Sequence, residues 1–204
     1  MTVVTIPDPC IVVLVGAAGS GKSTLAARHF DADEILSSDA FRASIAGDER
    51  DQRATSAAFR AMDRALERRL VAGQLTVIDA TNVARRDRRS WVLAARRHAM
   101  PLVAIVLDLP AVTVLAQDAG RDRVVGSDVV ARHLERLRRT VDQNELRNEG
   151  FDLVITLRST AEVQALDIER RSTHPSESTA RSVAKDGQEE APGTRWMRTA
   201  VRSG

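Results

Sequence analysis

The chain has 204 residues, 43% hydrophobic and 28% charged, with a formal net charge of +2. That balance belongs to one soluble globular domain long enough to bury a core. The single cysteine, Cys10, excludes an internal disulfide and fits a reducing cytoplasm, while no run of about 18 apolar residues is present to span a membrane.

The first nine residues lack a basic start and a long apolar stretch, so no signal peptide is expected. The apolar run 11–15 ends in glycine and reads as a buried parallel strand, with Cys10 as a buried structural thiol at its start. A helix is expected from the glycine loop to about residue 29, then a short strand over 34–37. Asp39 is placed to cap a helix running to about residue 46. An alanine- and arginine-rich helix follows over 51–72, stopped by Gly73. Residues 75–79 form a third strand and 86–98 a helix that Pro101 bars from continuing. A strand over 102–107, a helix over 111–119, an arginine-rich turn over 120–127 and a long helix over 128–148 come next. A fifth strand over 153–157 and a helix over 161–169 complete the pattern. Strands alternating with helices imply an α/β domain with a parallel sheet over residues 1–169. From residue 170 to 204 the chain turns polar, which predicts a disordered tail. Trp196 and Met197 stand near its end as a small apolar pair.

Gly16-Ala17-Ala18-Gly19-Ser20-Gly21-Lys22-Ser23 satisfies the phosphate-loop pattern, with a strand before it and a helix-forming run after it. Glycines let backbone N–H groups point at phosphate oxygens, and the helix start adds a favourable dipole. Lys22 is expected to reach the β and γ phosphates of ATP, and the Ser23 hydroxyl to sit on Mg²⁺. Only two of the 30 basic residues are lysines, Lys22 and Lys185, so a lysine in this loop stands out as a compact point charge. Asp79, at the tip of the third strand, is positioned to orient a metal-bound water; Asp108, at the tip of the fourth, is its rival. Ligands of open α/β sheets bind at that carboxyl edge.

Two further groups suit phosphoryl transfer. Asp39 and Arg42, three residues apart, share one helical face, where the carboxylate can take a proton and the guanidinium can hold an anion. The same spacing also suits a capping Asp39 with Arg42 as a surface charge. Arg121 and Arg123, in the turn between two helices, suit a lid over a triphosphate or a solvated charge run. Aromatic residues make up only 3% and tyrosine is absent, so a platform for stacking single-stranded bases is poorly supplied.

Together these motifs resemble the polynucleotide 5′-kinase module of bacterial RNA-repair proteins, the kinase part of polynucleotide kinase-phosphatases. The likeness rests on Gly19-Ser20-Gly21-Lys22-Ser23-Thr24, on Leu36-Ser37-Ser38-Asp39 with Arg42, and on Asp51-Gln52-Arg53-Ala54-Thr55 with Ala58-Phe59. It continues through Thr76-Val77-Ile78-Asp79-Ala80-Thr81-Asn82, Ala104-Ile105-Val106-Leu107-Asp108-Leu109-Pro110 and Glu149-Gly150-Phe151-Asp152. The resemblance implies a P-loop NTPase three-layer sandwich whose five parallel strands run in the order 2-3-1-4-5, with a helical arginine-bearing lid. It implies that Gly16 to Thr24 and Arg121 bind ATP, and that Ser23 and Asp79, the latter through water, hold Mg²⁺. Asp39 would activate the 5′-hydroxyl of a nucleic acid end, and Arg42 would contact the acceptor or the moving phosphate. The lid departs from the family pattern, with Gln117 where an arginine usually stands, and glutamine carries no charge. The chain ends about 35 residues after the kinase region, so repair partners are expected to be separate proteins. Two other readings share these motifs: a kinase for a small-molecule hydroxyl such as a sugar, nucleotide-sugar or antibiotic, and a non-catalytic ATP-binding module.

Overall fold

The structure, a computed structural model, describes residues 2–46, 52–120 and 124–173. The chain divides into two units, Met1–Thr173 and His174–Gly204, and all described residues belong to the first. Arg121, Arg123, Asp51 and the tail from His174 onward lie outside the described residues.

In chain order the elements are β1 (Thr2–Asp8), β2 (Ile11–Gly16), α1 (Lys22–His29), a 3-10 turn (Ala32–Glu34), β3 (Ile35–Ser37), α2 (Ser38–Ala46), α3 (Gln52–Val71) and β4 (Thr76–Asp79). They continue with α4 (Arg85–Arg97), β5 (Leu102–Leu107), α5 (Ala111–Ala119), α6 (Ser127–Asp142), α7 (Glu145–Glu149), β6 (Leu153–Leu157), α8 (Thr160–Ala165) and β7 (Leu166–Ser172).

Five strands form one parallel sheet in the order β3-β4-β2-β5-β6, the expected topology. Strand β2 takes the centre because all six of its residues are apolar or glycine and can be buried on both faces. Alternation along it splits the core in two. Ile11, Val13 and Val15 pack with Met62, Leu66, Trp91 and Leu146. Val12 and Leu14 pack with Leu25, Ala26 and Val114 on the opposite face. Helix α6 supplies Val130 to the second layer and Leu137 to the first, and also contacts β2. It therefore passes over an end of the sheet rather than lying on one face.

Three local expectations change. The helix expected over 161–169 stops at Ala165, and β7 pairs in parallel with β1, from Thr2↔Leu166 to Asp8↔Ser172. Of the fourteen residues in these two strands only Ile6 and Leu166 are buried, so neither carries the apolar run that marks the central strands. The helix expected over 128–148 breaks at Asn144, whose φ of 52° ends one turn and starts α7. Asparagine tolerates that left-handed conformation better than most residues. Asp39 is not a cap: α2 begins at Ser38, Asp39 lies in its first turn, and Ser37 Oγ accepts from Ala40 N at 3.4 Å. Among the described residues no helix is long and apolar enough to cross a membrane.

Candidate active site

Because the five core strands run parallel, their carboxyl ends open on one edge. There the loops after β2, β3 and β4, with α5, α6 and α8, wall a cavity of about 1470 Å³. The loop after β2 is built by its glycines. Gly19 and Gly21 have φ of 80° and 88°, where a side chain is strained. At Gly19 space is also short: a Cβ would sit 3.0 Å from Asp118 Cβ and 3.1 Å from the Val114 carbonyl oxygen. Helix α5 is thus pressed against the phosphate loop. Gly16 N donates to Thr81 O at 3.1 Å, tying the loop to the segment after β4.

Of the residues assigned to the nucleotide, Ala18, Gly19, Ser20, Gly21, Lys22, Ser23 and Thr24 line the cavity. Gly16 and Ala17 lie buried beneath them, and their carbonyl oxygens accept from Lys22 Nζ at 3.0 and 2.7 Å. The lysine ammonium is therefore held inside the loop's own curve, almost wholly buried. Ser23 Oγ donates to Asp79 Oδ2 at 2.7 Å, joining the first turn of α1 to the tip of β4. Asp108, the rival carboxylate, is not on the cavity wall; its Oδ2 stands 4.0 Å from Arg158 Nε.

Asp39 and Arg42 both reach the same cavity from α2. Arg42 donates through one terminal nitrogen to Asp39 Oδ1 and through Nε to Ser38 O at 3.2 Å. The carboxylate remains about half exposed, open to a group entering the cavity. The expected lid arginine Arg121 lies outside the described residues, while Gln117 is on the cavity wall.

Several supporting contacts were not read from the sequence. Buried Asp118 accepts from Val125 N and Gly126 N, both at 3.2 Å, and so fixes the chain where it re-enters α6. Asn82, with φ of 51°, donates from Nδ2 to Leu14 O at 2.8 Å and accepts from Trp91 Nε1 at 3.1 Å. Its own carbonyl accepts from Arg88 at 2.8 Å. Arg88 is fully buried and also donates to both carboxylate oxygens of Glu149 and to Glu145. Glu145 in turn accepts from Arg136, at 2.9 and 3.0 Å, and from Thr140 at 3.1 Å. A bidentate, fully hydrogen-bonded arginine is the form in which a buried ion pair is tolerated. The chain of contacts runs from the loop after β4 to α6, whose Arg132, His133 and Arg136 line the cavity. Their spacing of three and four residues was a visible signal of one shared face.

Solved structures share this fold. One is the Pnkp1/Rnl/Hen1 RNA repair complex, 22% identical, with a TM-score of 0.59, covering 68% of this chain and 47% of that one. The chain thus spans about half the length of that protein. Another is a complex of AvrRxo1-ORF1 and ORF2 with ATP, 16% identical, TM-score 0.53, covering 69% of this chain and 50% of the other. A third is an unliganded sugar kinase from Janibacter, 19% identical, TM-score 0.50, covering 86% of this chain and 93% of that one. No curated protein matches the sequence. A family model described as an AAA domain matches residues 11–144, and the chain, with its P-loop kinase-like fold, belongs to that family.

Proposed function

We propose that the chain is an ATP-dependent kinase that moves the γ-phosphoryl group onto a hydroxyl, with the 5′-hydroxyl end of RNA or DNA as its acceptor. One observation carries this reading: the phosphate loop, the Ser23–Asp79 pair and the Asp39–Arg42 pair open into a single cavity. A nucleotide-binding module needs the first two. An acceptor-side carboxylate beside them suits transfer. Arg28, Arg42, Arg85, Arg86, Arg132 and Arg136 share the cavity wall, which suits an acceptor that is itself anionic.

The residues fit a magnesium–triphosphate ligand. Ser20 Oγ is buried on the cavity wall without a hydrogen-bond partner, as expected of a group awaiting a phosphate oxygen. Ser23 and Asp79 offer a hydroxyl and a carboxylate, the sparse protein share that Mg²⁺ takes when phosphate oxygens complete its shell. Magnesium held there would neutralise charge on the β and γ phosphates. Lys22 would leave its own loop's carbonyls for phosphate oxygens, a stronger charge-assisted contact. Asp39 takes the proton of the acceptor hydroxyl as its oxygen bonds to the γ phosphorus. The bond from that phosphorus to the bridging oxygen breaks, and ADP leaves. Arg42 then has a phosphate oxygen to hold once Asp39 turns to the acceptor.

A second reading keeps the chemistry and changes the acceptor to a small hydroxylic molecule. It is favoured by Gln117, a neutral amide on the cavity wall where the resembled module usually has an arginine. Incubation with labelled ATP, Mg²⁺ and 5′-hydroxyl RNA and DNA, beside a panel of sugars, nucleotide-sugars and aminoglycosides, separates the two. Oligonucleotide labelling is expected. Labelling of one metabolite and no oligonucleotide would refute the nucleic acid reading. Lys22→Ala is expected to abolish transfer to every acceptor, and turnover that survives it would overturn the cradle assignment.

A further inference from the structure

Among the described residues two buried side-chain polar atoms lack a hydrogen-bond partner, Ser20 Oγ and His133 Nδ1. Both residues line the same cavity, one from the phosphate loop and one from α6. Buried polar atoms left unmet are rare in folded proteins and call for an explanation such as a missing ligand. Ser20 is part of the phosphate-loop motif. His133 is not, and nothing in that motif requires a histidine on the facing helix.

The placement of His133 is specific. Val129, Arg132, His133 and Arg136 all line the cavity, and offsets of three, four and seven put them on one face of α6. Arg136 is already engaged by Glu145. The charged groups that act on His133 are Lys22 from the phosphate loop, Asp87 from the first turn of α4, and Arg132 on its own helix. Burial lowers its pKa below 6.5, Lys22 and Arg132 lower it further, and Asp87 opposes them. In the free protein at pH 7 the imidazole is therefore mostly neutral.

We propose that His133 is a ligand of the nucleotide's terminal phosphates, and that it takes up one proton from solution when a triphosphate enters the cradle. This rests on the reading that ATP occupies the phosphate loop. A triphosphate brings several negative charges beside Lys22, which offsets the repulsion that Lys22 exerts on an imidazolium. It also gives the ring nitrogen a phosphate oxygen to donate to. An opposite charge within about 4–6 Å raises such a pKa by about 1–3 units. The step is a plain protonation, with one proton taken from buffer and no other bond made or broken. Binding is then favoured by this proton at pH values below the pKa of the bound state. The effect is complete below the pKa of the free state and disappears above that of the bound state.

The test is calorimetric titration of the full chain with MgATP, without acceptor, in buffers of different ionisation enthalpy. Near pH 7 the natural protein is expected to absorb a substantial fraction of one proton more than His133→Gln. MgATP should bind His133→Gln about tenfold more weakly at pH 6.5 and about equally at pH 8.5. His133→Arg, permanently charged, should keep tight binding and lose the extra proton. The chain has four histidines, so ring NMR resonances are assignable by comparison with the variants. The His133 signal should titrate below 6.5 in the free protein and at least about one pH unit higher with MgATP. Equal proton uptake by the natural protein and His133→Gln, or a titration midpoint that MgATP leaves unmoved, overturns the inference and leaves the kinase reading standing. Failure of the natural protein to bind MgATP at all overturns the cradle reading, and the inference with it.

Discussion

Replacing Arg88 with methionine tests the buried network behind the site. Arg88 is fully buried and makes hydrogen bonds to Glu149, Glu145 and the Asn82 carbonyl. After Arg88→Met, Glu145 keeps Arg136 and Thr140. Glu149, only 7% exposed, keeps no side-chain partner among the described residues. One stranded carboxylate sets the scale, and breaking a buried pair from one side costs about 3–5 kcal/mol. For a domain of this size each 1 kcal/mol moves the melting temperature by about 2–4 °C, so a loss of roughly 10 °C is expected. Arg88→Met combined with Glu149→Leu should recover most of that loss, because an apolar pair needs no hydrogen bonds. Urea unfolding of the natural protein, the two single variants and the double variant at pH 7.5 gives the full cycle. If Arg88→Met costs less than about 1 kcal/mol, or the double variant is as unstable as the two singles added, the network is not the support described here.

Asp39→Ala should lower kcat by about 10²–10⁴ while MgATP affinity stays within about twofold, measured by single turnover and calorimetry; an unchanged kcat removes it as the base. Gly19→Ala and Gly21→Ala both force a side chain into left-handed backbone, but only Gly19 also meets atoms at 3.0 and 3.1 Å, whereas Gly21 has open space. Gly19→Ala should therefore weaken MgATP the more, and the reverse order would argue against α5 pressing on the loop. Burial, helped by Asp8, pushes the Cys10 thiol up to about 12, so at pH 8 almost none is thiolate. Iodoacetamide should label native protein at least about a hundredfold more slowly than protein unfolded in urea.

The sequence revealed most where the signal was local. Strands β2 and β5 were visible because apolar runs buried on both faces need no partner to be recognised, and β6 because its short run 153–157 is apolar but for Thr156. The phosphate loop was visible because its chemistry sets its spacing. Strand β7 was hidden because Leu166–Ser172 carries four charged residues and buries only its first, so its reason for being a strand is the ladder with β1. In the sequence Asp79 is favoured over Asp108, with Thr81 and Asn82 beside it as the reason, although both end apolar strands; the hydrogen bond from Ser23 is a contact between residues 56 positions apart. Arg88 and Asp118 are not singled out in the sequence, though both are buried. Arg88 is met by Glu149 from 61 positions away, and Asp118 by the backbone N–H groups of Val125 and Gly126, contacts that no helical periodicity encodes.

The β1–β7 ladder joins residues about 160 positions apart. A growing chain emits β1 long before β7, and β1 cannot complete its pairing until residue 172 has been made. At about 5–20 residues per second it waits on the order of ten seconds or more, with its edge groups in water. Until then the apolar layer that Ile6 and Leu166 complete is uncovered at that margin. The core sheet and its phosphate loop are encoded before that point, so the proposed nucleotide site has its parts while the β1–β7 ladder is still unformed. If ATP binds as proposed, an ATP molecule captured early would hold β2, β4 and α1 together during that interval and so aid folding.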